Sequence, residues 1–198
     1  MKKTIVGVVI CLILAGIATT FIIRVNKKYA YFGRQDSYSL GEEVELDNFL
    51  VTANDYEILP EDDFVNKYNI EKRSLIDQEK AFGDERIDSY VCVVKCTFTI
   101  TGDARSLPYA DIGITTGGFD QKIMDEYMHE INPDSVFDLV GQKKGSVIEA
   151  DIPFLIISKR FPYEISVDKL YKEKWKLYLS VTPGKYVKME KAWGIDNG

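Results

Sequence analysis

Polar and apolar positions alternate along this chain in three different rhythms. From Thr4 to Ile23 no residue is charged, and Val, Ile, Leu and Ala dominate. A helix of that length rises about 30 Å, the thickness of a hydrocarbon core, and keeps every backbone hydrogen bond internal. Further on the period falls to two. Tyr90, Cys92, Val94, Cys96, Phe98 and Ile100 lie on one side of an extended run, with Lys95, Thr97 and Thr99 on the other, which predicts a strand with one face on a core and one towards water. Trp175, Leu177, Leu179 and Val181 repeat the pattern against Lys176, Tyr178, Ser180 and Thr182. Between these two runs the spacing turns helical. Phe119, Ile123, Met124, Tyr127, Met128 and Ile131 share one face and Asn132-Pro133 stops the run, so a helix of about three turns is expected there.

Turn and capping chemistry divides the rest. Val44 to Leu46 and Phe49 to Ile58 read as strands broken at Asp47-Asn48, because Asp and Asn favour turns. Pro60 followed by Glu61, Asp62 and Asp63 puts proline and acids where a helix N-terminus takes them, giving a short helix through Tyr68. Glu71 to Asp88 is polar and reads as a loop with one helical turn. Ala110 to Thr115 is a weaker strand closed by Gly117-Gly118, and Phe137 to Leu139 a short one. Val147 to Ile157 is long, and its Pro153, which cannot donate to a ladder, calls for an edge position or a bulge. A short helix at Val167 to Lys172 and a type II turn at Pro183-Gly184 lead to a last strand, Tyr186 to Ala192. Six to eight strands with two or three short helices make a mainly β fold, an antiparallel sandwich.

The apolar run sets the compartment. A cleaved signal peptide, cut after the small residues Gly16 and Ala18, is the rival to a retained anchor, but the run continues through Phe21, Ile22 and Ile23, longer than a signal core. Cys11 lies too deep in it, without a small residue before it, for a lipoprotein cut, and reads as lipid-facing. Residues 1–3 are then a short tail, 4–23 a transmembrane signal-anchor helix in membrane lipid, 24–38 a stalk and 39–198 one folded ectodomain. Counting Lys2 and Lys3 against Arg24, Lys27, Lys28 and Arg34 would leave the domain in the cytoplasm. The Met-Lys-Lys start and the weak influence of charge on long translocated domains favour the outer face instead.

Charge and composition remove several kinds of chemistry. The net charge is −6, and Lys2, Lys3, Arg24, Lys27 and Lys28 crowd around the anchor, so the ectodomain is more acidic still and unsuited to nucleic acid. Cys92 and Cys96 are roughly 13 Å apart on an extended strand, beyond the ~7 Å a disulfide spans, and without a second Cys or His pair they make no metal site. They read as small buried hydrophobes. His129 is the one histidine; any Ser/His or Cys/His catalysis would pass through it, on what reads as a polar helix face. Glu61, Asp62 and Asp63 point in different directions and lack the spacing of a calcium loop, and the glycines from Gly113 to Gly118 fit no phosphate-binding pattern. No catalytic, metal or cofactor residue is expected.

Leu40-Gly41-Glu42-Glu43-Val44 leading to Phe49-Leu50-Val51-Thr52, the Tyr90 to Ile100 strand, Asn132-Pro133, and Gly145 to Pro153 together resemble a family of bacterial membrane-anchored or lipoprotein ectodomains of uncharacterised function. The resemblance implies an immunoglobulin-like sandwich on an outer cell surface, and the chain departs from the lipoprotein branch in lacking a lipidated cysteine. The expected function is a non-catalytic binding or interaction module, with Phe119, Met124, Tyr127 and Met128 as its contact surface and another cell-surface protein as its partner. The alternatives are a cell-envelope enzyme acting on glycans through two carboxylates, or an immunity or envelope-stress protein with a membrane partner.

Overall fold

The computed structural model describes residues 16, 18–20, 22, 35–71, 88–103, 105–108, 112–117, 119–132, 139, 142–181 and 184–190. Nine strands among them form two sheets: β1 (Gln35–Ser39), β2 (Glu43–Leu46), β3 (Phe49–Pro60), β4 (Ser89–Ile100), β5 (Gly113–Thr116), β6 (Phe119–Lys122), β7 (Val147–Ile157), β8 (Lys176–Val181) and β9 (Gly184–Lys188). One sheet has the order β1-β9-β8-β5-β6 and the other β2-β3-β4-β7. Three short α-helices accompany them, α1 (Glu61–Tyr68), α2 (Asp125–Ile131) and α3 (Val167–Lys172), with a 3-10 turn at Ser158–Arg160. The fold is mainly β, as expected, but not wholly antiparallel, because β1 pairs with β9 in parallel. Since β1 begins at Gln35, residues 35–38 belong to the sheet and not to a stalk.

The core lies between the sheets. Val51, Tyr56, Ile58, Cys92, Val94, Phe98, Ile152 and Phe154 face Ile114, Leu177, Leu179 and Val187 across it, all essentially inaccessible. Along β3 the apolar set runs Phe49, Val51, Ala53 and then Tyr56, Ile58. A register shift between Ala53 and Asp55 absorbs that change of parity: one extra residue keeps both halves of the strand facing inward. Trp175 is buried and its indole N–H donates to the Leu170 carbonyl at 2.8 Å. The Ile58 N–H is met by the Tyr171 hydroxyl at 2.8 Å.

β4 is buried on both faces in its first half. Val91 and Val93, on the outer face, are covered by Phe64 of α1 and Tyr127 of α2, whose rings meet edge to face at 5.7 Å. The helix bounds of α1 and α3 reflect local capping. Pro60 precedes Glu61, Asp62 and Asp63 in α1, and in α3 the Ser166 side chain accepts from the Lys169 N–H.

β7 is an edge strand, one of the two placements Pro153 allows. Its outward-facing backbone is nonetheless met at Asp151 and Pro153. The Asn132 amide donates to the Asp151 carbonyl and accepts from the Asp151 N–H, both at 2.8 Å, and also donates to the Met128 carbonyl at 2.9 Å. Two residues on, the Pro153 carbonyl accepts from the Met124 N–H at 2.9 Å. Proline costs no bond here, because an N–H at this position would have pointed away from β4.

The expected helix from Phe119 to Ile131 is corrected in its first half. Thr116 pairs with Phe119 across Gly117-Gly118, and Gly117 has φ +51°, so a two-residue hairpin carries the chain straight into β6. Ile123 bridges to Phe154, and the helix begins only at Asp125. Among the described residues no helix is long and apolar enough to cross a membrane. The span from 4 to 23 lies outside the described residues apart from 16, 18–20 and 22, as do 72–87 and Phe137 of the expected loop and short strand.

Leu179→Ala is expected to lower stability by about 2–5 kcal/mol and Ser180→Ala by less than about 1. Urea unfolding measures both, and a reversed ranking would place β8 one residue out of register. Asn132→Ala, which strips the Asp151 edge of its partner, should cost about 2–4 kcal/mol in the same experiment.

Candidate functional site

A cleft of about 610 Å³ opens where the β5–β6 hairpin meets the chain leaving β7. Three separate segments build it. The hairpin supplies Thr116, Phe119 and Asp120; the 3-10 turn and the loop after it supply Arg160, Phe161, Pro162 and Tyr163; the residue ending α3 is Glu173. Each wall has a local cause. The glycine turn ends β5 within two residues and sets Phe119 beside the cleft, while β7 stops where Ser158–Arg160 curls into a 3-10 turn that Phe161-Pro162 cannot extend as a helix.

Aromatic rings make the floor. Phe119 and Phe161 are 4.7 Å apart and inclined by 37°, and both meet the buried Trp175 edge-on, at 6.1 and 6.4 Å. Tyr163 crosses Phe161 at 5.8 Å and is 45 % exposed, one of the few large apolar side chains left open to solvent among the described residues. Charged groups stand around this floor. The Arg160 guanidinium lies over the Phe119 ring at 5.7 Å. With the Gln121 amide turned so that both of its atoms are satisfied, its oxygen accepts from this guanidinium and its nitrogen donates to the Leu155 carbonyl at 3.3 Å. Glu173 accepts through both oxygens, from the Tyr163 hydroxyl and, at 3.3 Å, from the Thr116 hydroxyl. The hydrogen bond to Glu173, helped by some burial and by the carboxylate's charge, raises the Tyr163 phenol above its ordinary pKa.

This domain matches the family described as Domain of unknown function (DUF5028) over residues 35–186. The chain belongs to the DUF5028 family. No curated protein matches it. Among solved structures, the DUF5028 chain is similar to a functionally unknown protein from Listeria monocytogenes EGD-e, with 12 % identity and a TM-score of 0.40 over 71 % of this chain and 70 % of that one. It is also similar to an uncharacterised beta-sandwich protein from Clostridium difficile 630, with 13 % identity and a TM-score of 0.36 over 80 % and 96 % of the two chains.

The four residues expected to form a contact surface do not come together. Phe119 alone reaches the cleft. Met124 is half-buried against the outer layer, Tyr127 is enclosed beneath it, and Met128 is enclosed in the main core. Helix α2 sits astride the β7 edge, so adjacent residues on it feed two different apolar layers and neither is open for docking. His129 is exposed. Cys92 and Cys96 form no disulfide and are buried; burial, with the Asp151 charge adding to it, pushes the Cys96 thiol up to about 12, far from a thiolate nucleophile. Among the described residues no group of three or more His, Cys, Asp or Glu side chains is placed to hold a metal. Sequence reasoning missed Arg160, Phe161, Tyr163 and Glu173, although an aromatic-proline run directly after a strand was a readable sign of rings held in a loop.

Tyr127→Glu and Met128→Glu should each cost several kcal/mol in urea unfolding, because each forces a carboxylate into a closed apolar layer. Tyr163→Glu should change stability by less than about 1 kcal/mol. A second check concerns protons. A folded-state pKa above the unfolded value makes the Tyr163–Glu173 contribution fully present below about pH 10 and lost as pH rises through the folded value. Tyrosinate absorbance, taken as the difference from Tyr163→Phe, should show late ionisation, and Glu173→Gln should bring it back towards the ordinary value.

Proposed function

We propose that this is a non-catalytic binding module, held in a membrane by residues 4–23 with its domain on the outer face, and that the aromatic cleft is its ligand site. The observation that carries the reading is the cleft itself. Its volume of about 610 Å³ falls within the roughly 300–1,000 Å³ of small-molecule sites, and it combines an apolar floor with a few fixed polar groups as such sites do. Support for binding over turnover comes from Glu173, whose two oxygens are both engaged by neutral hydroxyls. An immunoglobulin-like class is supported by the strand order: β1 joins the last strand in parallel, and β9-β8-β5-β6 lies opposite β3-β4-β7, as strands G, F, C and C′ lie opposite A, B and E. The anchor rests on the uncharged run and the displayed orientation on the Met-Lys-Lys start.

A second reading, an enzyme acting on glycans, draws on the presence of two carboxylates, Asp120 and Glu173, in one cleft. A photo-cross-linking residue separates binding from its absence. Placed at position 163 in the full-length chain in cells, it should capture a defined adduct that is not captured from position 103, which lies past the far end of β4. Equal labelling from both positions would sink the assignment of the cleft. Product formation from a glycan by the purified chain, abolished in Glu173→Gln, would replace the binding module with the enzyme.

A further inference from the structure

We infer that the ligand of this cleft is a neutral glycan whose pyranose rings lie against Phe161 and Tyr163, an inference that rests on the cleft being a binding site. The charges narrow the ligand first. Arg160 opposes a cation, and Glu173 opposes an anion. These groups do not neutralise one another: among the described residues no ion pair joins Arg160 to that carboxylate, the guanidinium being engaged by the Phe119 face and Gln121. The cleft therefore brings together a donor-only group, an acceptor-only group and the Tyr163 hydroxyl. A ligand that meets all of them must donate and accept around its whole periphery, without net charge. Hydroxyl groups do this, since each is both donor and acceptor.

The floor narrows it again. A polyhydroxylated ligand gains from aromatic faces only if it also has an apolar face, and the C–H face of a pyranose ring supplies one. Tyr163 is suited to such a face because it does not swing freely. Its hydroxyl is tied to Glu173 and its ring braced against Phe161, so it is presented to solvent at little conformational cost on binding. A peptide finds a strand edge beside the cleft in β6, but its charged side chains meet opposing charge in one place or another, whereas a neutral hydroxylated ligand does not. The cleft's volume of about 610 Å³ admits more than one sugar ring.

The test is calorimetric, on the full-length chain kept in solution by a detergent without a sugar headgroup. Cellohexaose, maltohexaose, mannohexaose and chitohexaose are titrated, with choline, a Lys-rich peptide and an Asp-rich peptide alongside. At least one hexasaccharide should bind, and both Tyr163→Ala and Glu173→Gln should weaken it by about tenfold or more while thermal unfolding stays close to that of the parent. Glu173→Gln keeps the shape of the side chain, so it remains informative if Tyr163→Ala is destabilised. Saccharide binding indifferent to both substitutions overturns the inference. Binding of choline or a peptide, lost in Tyr163→Ala and without any saccharide binding, also overturns it but leaves the cleft as a binding site. Silence from every probe, together with no adduct from position 163, overturns the inference and the binding module with it. A hexasaccharide bound and shortened, with shortening lost in Glu173→Gln, supports the glycan and discards the non-catalytic role.

Discussion

The open edge of β7 is the constraint on which much of this structure depends. An unpaired strand edge invites pairing with another chain, and here it borders β4, the most buried strand of the sheet. Three successive outward-facing positions, Asp151, Pro153 and Leu155, are met in turn by the Asn132 side chain, the Met124 backbone and the Gln121 side chain. A single stretch of chain, from β6 to the end of α2, thus runs along the edge without forming a regular strand on it. Tyr68 adds a bond from α1 to the Asp151 carboxylate at 2.7 Å, and burial together with that bond raises its phenol pKa. Each bond contributes on the order of 1 kcal/mol net. Their larger effect is to occupy the middle of the β7 edge, from Asp151 to Leu155.

The same stretch explains why β4 is buried on two sides. Once α2 is pinned at the edge by Asn132, its neighbouring residues Tyr127 and Met128 point into different layers, one onto Val91 and Val93 and one into the space between the sheets. Phe64 completes the outer layer from α1. A sandwich needs only its inner faces covered, so this second layer is an addition. It turns the first half of β4 from a half-exposed strand into one enclosed on both faces.

What could be read from the sequence was what is encoded locally. The α1 and α3 helices carry their own start signals, in Pro60 with three acids and in Ser166, and the alternation from Cys92 to Ile100 names the inward face of β4 correctly. Non-local pairing was not legible. Gln35 to Ser39 has no apolar rhythm and looks like a stalk, because what makes it a strand is a parallel partner at Gly184 to Lys188. Phe119 and Ile123 fit a helical face by spacing, yet a glycine pair that closes a hairpin outweighs four residues of periodicity. Tyr127 and Met128 read either as a contact patch or as cover for the open end of the sandwich, and a sequence pattern cannot show that a helix lies across a sheet edge with a different layer on each side. The cleft was hardest to foresee: its residues come from around 119, 160 and 173, and only the folded chain brings them together.

Gln121 links the closed edge to the cleft. Its amide donates to Leu155 on the β7 edge while its oxygen accepts from Arg160, which lies over Phe119 in the cleft. Closing the edge and orienting the guanidinium of the cleft wall are therefore done by a single side chain, on a strand that the glycine hairpin placed there. Arg160 is positioned by the edge through Gln121, at the wall of the cleft that Glu173 also lines. On the proposed reading of the cleft as a binding site, its walls are held by the same contacts that cover the β7 edge. Rigid rings and fixed polar groups lower the ordering cost of binding, so under that proposal the contacts that protect the edge would also prepare the cleft.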